Sequence, residues 1–425
     1  MHTLQQLNNN ELQGIKQLTL SENLTTFPQK IFDLSPTLEV LDLSNNQLSS
    51  LPNLKRLTHL KIAFFSNNLF KEVPDAFLSC ENLYMLGLKA NQIEFFAENI
   101  LPLNVTWLIL TDNKIKTLPE SIGNLSKLQK FALAGNQLST LPQSMQKCKN
   151  LELLRLSANN LTHIPHWILE LPKLAWLAYS GNNCSIQPQV DLEKASMNKL
   201  HLLEQLGEGA SGIIYKAFCP TLDKDVALKL FKGAITSDGY AVDEMNAYMS
   251  IGKHNSLINV IAKIEEGEKL GLLLDLIPQS YQNLGFPPNF ETCTRDTFPK
   301  GYTITCQSIY EIVKHILSAS IHLHKKNLMH GDLYAHNILI NEKSHCYLGD
   351  FGASSFYENK NYEKIEVRAY GCLIDDLLNI CSDNESPYFK TLTDIAQTCM
   401  QENVKARPFF SEIDFYIRGN KISEL

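Results

Sequence analysis

The side chains best suited to chemistry lie in one short stretch, His330-Gly331-Asp332-Leu333-Tyr334-Ala335-His336-Asn337, and in the triplet Asp350-Phe351-Gly352 that follows it. An aspartate can accept the proton of an attacking hydroxyl, and an asparagine with a second aspartate can hold the magnesium that bridges nucleotide phosphates. The two motifs have these residue types in this order. They predict a centre for phosphoryl transfer, with Asp332 as the base and with Asn337 and Asp350 as the magnesium ligands.

A glycine-rich segment upstream is a candidate phosphate-binding loop. It reads Gly207-Glu208-Gly209-Ala210-Ser211-Gly212 and lies between two runs that have the composition of strands. Because its glycines have no side chains, a hairpin backbone there can lie close to phosphate oxygens. A dinucleotide-binding fold would need a helix directly after the glycines, whereas Ile213 and Ile214 continue as a strand. We therefore expect all six residues to contribute to nucleotide binding.

The next apolar run, Asp225-Val226-Ala227-Leu228-Lys229-Leu230, contains a single inward lysine. A buried lysine on a strand is rare without a counter-charge. The segment that follows offers two carboxylates. Glu244 is the preferred partner of Lys229, and Asp243 is an alternative that spacing does not exclude. A lysine held in this way could bind the phosphates of a nucleotide.

These motifs, in this order, resemble the protein kinase family, and the resemblance runs from about Leu200 to residue 425. It implies a bilobal α+β domain that uses ATP and Mg²⁺, with Asp332 and Lys229 as catalytic residues and Glu244 supporting the nucleotide site. His330 is expected to have a structural role. The resemblance also implies an adenine pocket gated by Leu274, with backbone groups of Asp275 and Ile277 bonding the adenine edge, and Ala227 as a further nucleotide-binding residue.

Two departures from the family pattern concern charge beside the base. Gly331 stands where regulated kinases have an arginine that binds a phosphorylated loop, so we expect activity without loop phosphorylation. Tyr334 stands where serine/threonine kinases have a lysine that reaches the transferred phosphate. His336 is a candidate substitute for that charge.

Two further departures concern the segment that follows the catalytic motifs. Only about twenty residues separate Asp350 from Tyr370, and the usual Ala-Pro-Glu triplet, which helps to form a platform for peptides, is absent. Glu366 stands where the buried helix of the family begins with aspartate. Arg407 is present although the glutamate that the family pairs with it is missing, so its partner is not identified by the sequence.

These departures leave the substrate open. The preferred function is a soluble protein kinase that phosphorylates serine or threonine hydroxyls. His-Gly-Asp followed by asparagine also resembles the aminoglycoside and choline kinases, which phosphorylate small molecules. The third alternative is a binding protein with a degenerate kinase domain, which the missing lysine and the short segment favour. The charged and amide residues that a kinase needs are nevertheless retained, namely Lys229, Glu244, Asp332, Asn337 and Asp350.

The first half of the chain is a repeat with a period of 22 or 23 residues. Leu41-Asp42-Leu43-Ser44-Asn45-Asn46-Gln47-Leu48, for example, recurs as Leu86-Gly87-Leu88-Lys89-Ala90-Asn91-Gln92-Ile93. The pattern resembles the leucine-rich repeat, whose units must stack because none can bury its apolar face alone. One asparagine per unit is expected to bond backbone groups along the stack. These asparagines are Asn23, Asn46, Asn68, Asn91, Asn113, Asn136, Asn159 and Asn182.

The outward strand positions of the repeats form a candidate surface for a protein substrate or regulator. They include two tryptophans and a phenylalanine that would face solvent on the concave side. In the alternative, these rings pack on one another or on the second domain. The positions are Val40, Asp42, Ile62, Phe64, Met85, Trp107, Ile109, Lys130, Arg155 and Trp176.

Composition limits the class of protein. The chain has 425 residues, a formal net charge of −7 and no basic stripe, so nucleic-acid binding is not expected. No apolar run is long enough to span a membrane, and the first residues lack the core of a signal peptide. The ten cysteines form no close pairs, which indicates a reducing environment. A cytoplasmic protein is the resulting expectation.

The predicted architecture is an α/β leucine-rich repeat solenoid followed by an α+β bilobal protein-kinase-like domain. The solenoid is assigned to residues 1–185 and the second domain to residues 200–425. Between them, residues 186–199 lose the repeat pattern and are polar. This segment is expected to be a linker or a helix that bridges the domains.

Overall fold

The computed structural model describes residues 1–188, 190, 192–209, 211–233, 236, 238–267 and 269–419. The chain forms two compact units. The first unit contains Met1–Leu171 and Asn182–Cys184, and the second contains Pro172–Gly181 and the residues from Ser185 onward. The second unit therefore includes ten residues of the last repeat, which the sequence-based boundary at residue 185 had placed in the solenoid.

The first unit is a solenoid built from parallel strands of three residues each, preceded by a short helix whose N-terminus is closed by a capping box between Thr3 and Gln6. Consecutive strands pair in chain order, and their central side chains are fully buried. No strand this short would be stable alone, so the stacking of repeats holds each one. The elements are α1 (Leu4–Asn8), β1 (Gln17–Thr19), β2 (Val40–Asp42), β3 (Ile62–Phe64), β4 (Met85–Gly87), β5 (Trp107–Ile109), β6 (Lys130–Ala132) and β7 (Leu153–Arg155).

The return arms of several repeats contain short 3-10 helices that begin directly after a proline. Proline suits this position because its φ is fixed and it has no N–H to leave unpaired. The prolines occupy the N-cap positions of these helices. The helices are Gln29–Leu34, Asp75–Ser79, Glu120–Asn124, Gln143–Lys147 and His166–Glu170.

Buried asparagines connect successive repeats, as the repeat pattern predicted. Asn136 shows the pattern: its Nδ2 donates to the carbonyls of Leu110 and Leu133 at 2.9 Å, and its Oδ1 accepts from the amide of Ile115 at 3.0 Å. Each such side chain satisfies backbone groups that the tight turn leaves without partners. The asparagines that do this are Asn46, Asn68, Asn91, Asn113, Asn136, Asn159 and Asn182.

The prediction that Asn23 belongs to this ladder was wrong. Its side chain is exposed and its φ is +55°, a left-handed conformation that asparagine tolerates. The amides on either side of it, those of Glu22 and Leu24, bond to Asn46 of the next repeat. Asn23 therefore lies in the turn, and its side chain is not one of the buried amides of the ladder.

The outward strand positions are less exposed than the sequence predicted, because all ten of them are half-buried or buried. Neighbouring strands lie only about 4.8 Å apart, so long side chains on one strand cover those on the next. The Nζ atom of Lys130 lies 4.1 Å from the ring centroid of Trp107. A Cβ atom on Gly87 would lie 2.6 Å from the Phe64 ring, so glycine makes room for that ring.

The second unit begins with the last repeat strand, β8 (Trp176–Ala178), and continues into an antiparallel sheet of five strands in the order β12-β13-β11-β10-β9. Helix α2 packs against this sheet. The apolar face of the sheet is built around Ala217, Val226, Leu228 and Leu273. The elements are β9 (His201–Glu208), β10 (Gly212–Cys219), β11 (Lys224–Phe231), α2 (Ala241–Ile251), β12 (Val260–Glu266) and β13 (Lys269–Asp275).

The segment predicted to be a linker or a bridging helix contacts the sheet of this unit through its described residues 192–199. Lys194 forms a parallel bridge with Lys263 of β12, and the amide of Ala195 donates to the Lys263 carbonyl at 2.9 Å. Met197 packs on the apolar face of the sheet and begins the short 3-10 helix Met197–Lys199. The polar composition of this segment reflects an edge of the sheet.

The remainder of the second unit is mainly helical. Thr305 caps the N-terminus of the long helix α3, and the side chains of α3 at spacings of three and four residues are buried. Helices α4 and α5 cross closely at Gly371, where a Cβ atom would lie 2.7 Å from Cys399. The elements are β14 (Gln282–Asn283), α3 (Cys306–His324), β15 (Leu328–Met329), β16 (Ile338–Ile340), β17 (Cys346–Leu348), β18 (Ser355–Phe356), α4 (Glu363–Leu378), α5 (Pro387–Cys399) and α6 (Phe410–Gly419).

Helix α3, at 19 residues, is the longest of the described helices. Across the described parts of the chain, no helix combines the length and the apolar character needed to cross a membrane.

The asparagine ladder predicts a large difference between buried and exposed asparagines. Asn136→Ala should lower the free energy of unfolding by about 2–4 kcal/mol, because it leaves buried backbone groups without partners. Asn82→Ala is the matched control, since exposed Asn82 also bonds a carbonyl of the preceding repeat, at 2.8 Å. It should cost less than about 1 kcal/mol. Urea unfolding followed by circular dichroism would measure both, and equal costs would contradict the role of burial.

Candidate active site

A buried ion pair joins the sheet to helix α2. The Nζ atom of Lys229 on β11 donates to Oε1 of Glu244, and both side chains are buried. Burial alone would lower the pKa of Lys229, but nearby negative charges, led by Glu244 and including Asp350, outweigh it and raise the pKa. The alternative partner, Asp243, instead accepts a hydrogen bond from Gln187 at 3.0 Å. The structure therefore brings Lys229 to Glu244, the preferred partner, and burial raises the pKa of that carboxyl to about 7 although Lys229 acts to lower it.

The glycine-rich segment forms the hairpin between β9 and β10. Positions Gly207 and Gly209 face open space, since a Cβ atom on either would meet no atom within 4 Å. Gly212 has a different reason to be glycine, because a Cβ there would lie 2.5 Å from the Leu230 carbonyl of β11. The side chain of Glu208 pairs with Lys232. The hairpin thus leaves backbone exposed at two of its three glycines.

Two other predicted residues of this segment need separate mention. The hydroxyl of Ser211 is among the groups that stabilise the carboxylate of Glu244. Ala210 lies outside the described residues.

Two residues predicted to bind the nucleotide base, Ala227 and Leu274, lie on the adjacent strands β11 and β13. Ala227 and Leu274 are both buried and lie opposite each other in the register of these strands. The amide of Asp275 donates to the Asn259 carbonyl at 3.0 Å, which leaves the carbonyl as the Asp275 backbone group available for a base edge. Ile277 follows two residues beyond, half-buried, where the strand has ended.

The hairpin β16–β17 brings the two proposed metal ligands together. Asn337 directly precedes β16, and Asp350 lies two residues after β17. The strands are antiparallel, and the amide of Gly349 donates to the Asn337 carbonyl at 2.9 Å. Side chains thirteen residues apart in the chain thus lie at the same end of one hairpin.

Asn337 also orients the proposed base. Its Nδ2 donates to Oδ2 of Asp332 and to the Asp332 carbonyl, both at 2.9 Å. Since the amide nitrogen is used in this way, Oδ1 is the atom of Asn337 that remains for a cation. Asp350 is exposed, and its carboxylate oxygens are a second group that could bind a cation. An amide oxygen with a carboxylate fits the oxygen preference of Mg²⁺, so these residues could hold that ion.

Aromatic packing positions Asp350. The residue has a φ of +56°, its amide donates to the Tyr248 hydroxyl at 3.1 Å, and its Oδ1 accepts from the amide of Gly352 at 3.2 Å. The ring of Phe351 lies 4.8 Å from the rings of both Tyr248 on α2 and His330. A Cβ atom on Gly352 would lie 3.3 Å from Oδ1 of Asp350 and 3.6 Å from Oε2 of Glu244. The ion pair and Asp350 therefore meet in one region.

His330 fixes the backbone around the base. Its ring is buried, with Nε2 2.8 Å from the Gly349 carbonyl and Nδ1 3.2 Å from the Asp332 amide. This bonding pattern assigns the hydrogen to Nε2, since Nδ1 accepts from an N–H. His330 therefore ties the loop that carries Asp332 to the hairpin that carries Asp350.

A buried carboxylate, Glu366 on α4, holds the backbone on the other side of the base. It accepts from the amides of His330 at 3.1 Å and Gly331 at 2.8 Å, and its Oε2 lies 2.6 Å from Nε2 of His324. Burial would raise the pKa of Glu366, but His324, His330 and the backbone donors together lower it. Glu366 can replace a shorter aspartate here because both of its oxygens reach backbone amides.

The glycine at position 331 is required by the backbone. Its φ is +75°, and a Cβ atom would lie 2.5 Å from the Ala353 carbonyl and 2.7 Å from the Leu177 carbonyl. No arginine could occupy this position without moving both segments. The predicted absence of a phosphate-binding arginine therefore has a steric cause.

Sequence reasoning missed one residue of the site, Asp296. Its Oδ1 lies 2.7 Å from Nδ1 of His336, and its Oδ2 accepts from the His336 amide at 2.9 Å. Burial would lower the pKa of His336, but Asp296 and the charges of Asp332 and Asp350 outweigh burial and raise it. Asp296 lies in the irregular segment 278–305, which has no periodic pattern that could have revealed it.

The segment after Asp350 is even shorter than predicted, because helix α4 begins at Glu363. Arg407, whose partner the sequence did not identify, is buried, and its guanidinium donates to the carbonyls of Gln401 at 2.8 Å, Lys364 at 3.0 Å and Pro172 at 2.5 Å. Burial and the neighbouring Arg368 lower the pKa of Arg407 to about 9. The guanidinium thus joins three segments of backbone.

Comparisons with known families agree with this arrangement. The family model of the protein kinase domain matches residues 200–371. Leucine rich repeat models match residues 37–60, 103–161 and 128–183. The kinase match covers the phosphoryl-transfer motifs, and the repeat matches cover most of the stacked strands.

Several curated kinases are similar to part of the chain at low identity. Serine/threonine-protein kinase fray1 of Dictyostelium discoideum is 27% identical over 167 residues, which is 38% of this chain and 27% of that protein. Cyclin-dependent kinase 20 of Danio rerio is 25% identical over 262 residues, 53% of this chain and 70% of that protein. Tyrosine-protein kinase STYK1 of Mus musculus is 31% identical over 163 residues, 35% and 37% of the two chains.

The chain thus spans well under half of two of these three relatives. The predicted fold class is confirmed by the stacked strands, the sheet-and-helix unit and the family matches together. This is a chain in which leucine-rich repeats precede a protein kinase domain.

Proposed function

We propose that this chain is an ATP- and Mg²⁺-dependent protein kinase that phosphorylates serine or threonine hydroxyls. The observation that carries the proposal is the convergence of the Lys229–Glu244 pair, the Asp332–Asn337 pair and Asp350. Lys229 has a raised pKa and so remains a cation. The charge of Asp350 is close enough to contribute to that shift. This arrangement suits the binding of a nucleotide triphosphate beside a base.

Each side chain has a distinct part in the transfer. Asp332 accepts the proton of the acceptor hydroxyl while the hydroxyl oxygen bonds to the γ-phosphorus and the bond from that phosphorus to ADP breaks. Lys229 binds phosphate oxygens, and Glu244 keeps its ammonium in place. Magnesium, held by Asn337 and Asp350, would neutralise the charge on the phosphates. The exposed backbone at Gly207 and Gly209 can approach those phosphates.

His336 is the second candidate cation of the site. Tyr334 has no charge at the position where the family resemblance implies a lysine. His336 is two residues further on, and Asp296 holds its ring and favours the imidazolium form. We therefore assign His336 the electrostatic role beside the transferred phosphate that a lysine would otherwise have.

Support for serine and threonine as acceptors comes from the relatives rather than from the site. Fray1 is named a serine/threonine-protein kinase, whereas STYK1 is named a tyrosine-protein kinase. Tyr334 is compatible with either class of acceptor, serine and threonine or tyrosine. The repeats are proposed to recruit the protein substrate or a regulator through the outward strand positions, of which Trp107 and Ile109 are half-buried.

Phosphate transfer should depend on the base and on the buried lysine. Asp332→Asn should lower the rate of transfer from labelled ATP to the chain itself or to a generic protein by about 10²–10⁴-fold, because it removes the proton acceptor. Lys229→Met should lower it at least about 10²-fold, because it removes a cation from the phosphates. Asp223→Asn is the control, since exposed Asp223 lies in a turn at a φ of +48°, which asparagine also adopts. It should transfer at the wild-type rate.

The same measurement separates the alternatives. Phosphoserine or phosphothreonine in the labelled product supports the proposed acceptors, and phosphotyrosine alone would contradict them. Labelling that survives Asp332→Asn would remove Asp332 from its role. Nucleotide binding with no transfer by the wild-type chain would favour the binding-protein alternative, and ATP consumption with labelled small molecules only would favour a small-molecule kinase.

The His336–Asp296 pair predicts a pH-dependent contribution to stability. Because the folded-state pKa of His336 is raised above its usual 6.5, the imidazolium stabilises the folded chain below the unfolded pKa, and this contribution disappears as pH rises through the folded pKa. His336→Gln should therefore lose most stability at about pH 5.5 and least at about pH 9. Urea unfolding at both pH values measures the difference.

The control for that series is His163→Gln, at an exposed histidine of the repeats. Its difference from wild type should be the same at both pH values. A His336→Gln deficit that stays constant or grows with pH would show that Asp296 does not hold an imidazolium.

The recruiting surface can be tested with a photo-cross-linking amino acid. At position 107 it should capture a protein that the wild-type chain also phosphorylates, because the outward strand positions contact the partner. At exposed position 82, on the return arm of a repeat, it should not. Equal capture at both positions would contradict a partner on the strand side.

A further inference from the structure

The last repeat strand, β8, is anchored to the catalytic part of the second unit at both of its ends. Arg407 and Arg368 donate to the carbonyls of Pro172 and Lys173, at 2.5 and 2.9 Å. Beyond the strand, the amide of Tyr179 donates to the Ser355 hydroxyl at 2.9 Å. The Tyr179 hydroxyl donates to the carbonyl of the next residue, Phe356, at 2.8 Å. These bonds hold the strand in one register against α4 and β18.

Between these anchors, Trp176 contacts the two residues that follow the proposed base. Its indole Nε1 donates to the Leu333 carbonyl at 3.1 Å. Its ring stacks on Tyr334, with 4.3 Å between the ring centroids and 7° between the planes. The side chain is only 1% exposed. A donor and a stacked ring together fix both the distance and the orientation of this part of the loop.

The adjacent residue of β8 contacts the other side of the base. A Cβ atom on Gly331 would lie only 2.7 Å from the carbonyl oxygen of Leu177. Strand β8 therefore approaches the residue before Asp332, Gly331, and contacts the residues after it, Leu333 and Tyr334. Glu366 holds the amides of His330 and Gly331, which precede Asp332. Trp176 contacts Leu333 and Tyr334, which follow it.

We propose that Trp176 is a positioning residue for Asp332, so that the catalytic unit starts within the last repeat and not after it. The inference rests on the proposed function, because it concerns the same base. Leu171 and Asn182 belong to the repeat unit. The strand of the last repeat therefore contacts the catalytic loop directly, through the indole donor and the ring of Trp176.

Trp176 and Trp167 allow a matched test of the indole N–H. Both rings are buried, and within the described residues Nε1 of Trp167 has no hydrogen-bond partner. Trp176→Phe keeps an aromatic ring but removes the donor to Leu333, and Trp176→Leu removes the donor and the stack. Trp167→Phe makes the same chemical change where no bond is lost.

The first measurement, hydrogen exchange of the full chain followed by mass spectrometry, needs no activity. In Trp176→Leu, exchange of the peptide that covers residues 328–340 should accelerate by about tenfold. Trp176→Phe should give a smaller acceleration, because the stack remains, and Trp167→Phe should give none. Peptides from β9 to β13 should exchange as in wild type.

The second measurement is the kinetics of phosphate transfer. Trp176→Leu should lower kcat by about tenfold with the KM for ATP unchanged, because the nucleotide-binding residues lie elsewhere. Trp176→Phe should recover part of that loss. A purely structural role would instead accelerate exchange throughout the sheet and lower kcat in proportion to the folded fraction.

Three results would overturn the inference. They are unchanged exchange of residues 328–340 in Trp176→Leu, faster exchange throughout the second unit, and faster exchange of the loop with an unchanged kcat. If the wild-type chain transfers no phosphate, the proposed function fails. A loop-specific acceleration of exchange would then still support the positioning of residues 331–334 by Trp176.

Discussion

The site depends on one buried carboxylate. Glu366 sits on α4 with its charge removed from water, and a buried charge is stable only when donors surround it. Two amides of the loop and the ring of His324 on α3 supply those donors. Satisfying this one charge therefore sets where α3, α4 and the loop meet, and Asp332 follows directly after the second amide.

Several departures from the kinase pattern have a common physical origin in the packing around that loop. Gly331 is held at positive φ between two carbonyls, so a long side chain is excluded there. Tyr334 stacks on the ring of Trp176 and also on that of His336, with 4.9 Å between the centroids of the latter pair. The positions where the family resemblance implies long cations are thus occupied by backbone contacts and stacked rings. The remaining positive charge beside Asp332 is assigned to His336.

The packing also explains what replaces the missing glutamate. A buried guanidinium needs acceptors, and Arg407 obtains them from carbonyls of three separate segments. One of them, Pro172, belongs to the last repeat. The strand of the last repeat also contacts the short segment after Asp350, because Tyr179 bonds Ser355 and Phe356.

The sequence by itself determined the features that depend on neighbouring residues. The period of the repeats predicted the stacked strands and seven of the eight ladder asparagines, because each unit repeats the same local bonds. The motif order predicted the kinase domain, and the spacing of Asn337 and Asp350 suits the hairpin that brings them together. Spacing along helix α2 favoured Glu244 but did not exclude Asp243, and the packing of the helix on the sheet places Glu244 against Lys229.

Only the tertiary structure decided the contacts between distant residues. Trp176 was predicted to face solvent, with packing on the second domain as the alternative, and it is buried against a loop 157 residues further on. Asp296 and the carbonyl partners of Arg407 have no sequence pattern, because a hydrogen bond between remote segments constrains neither the type nor the spacing of their neighbours. Local sequence specifies periodic packing, whereas the three-dimensional arrangement of the chain specifies which remote groups satisfy each buried charge.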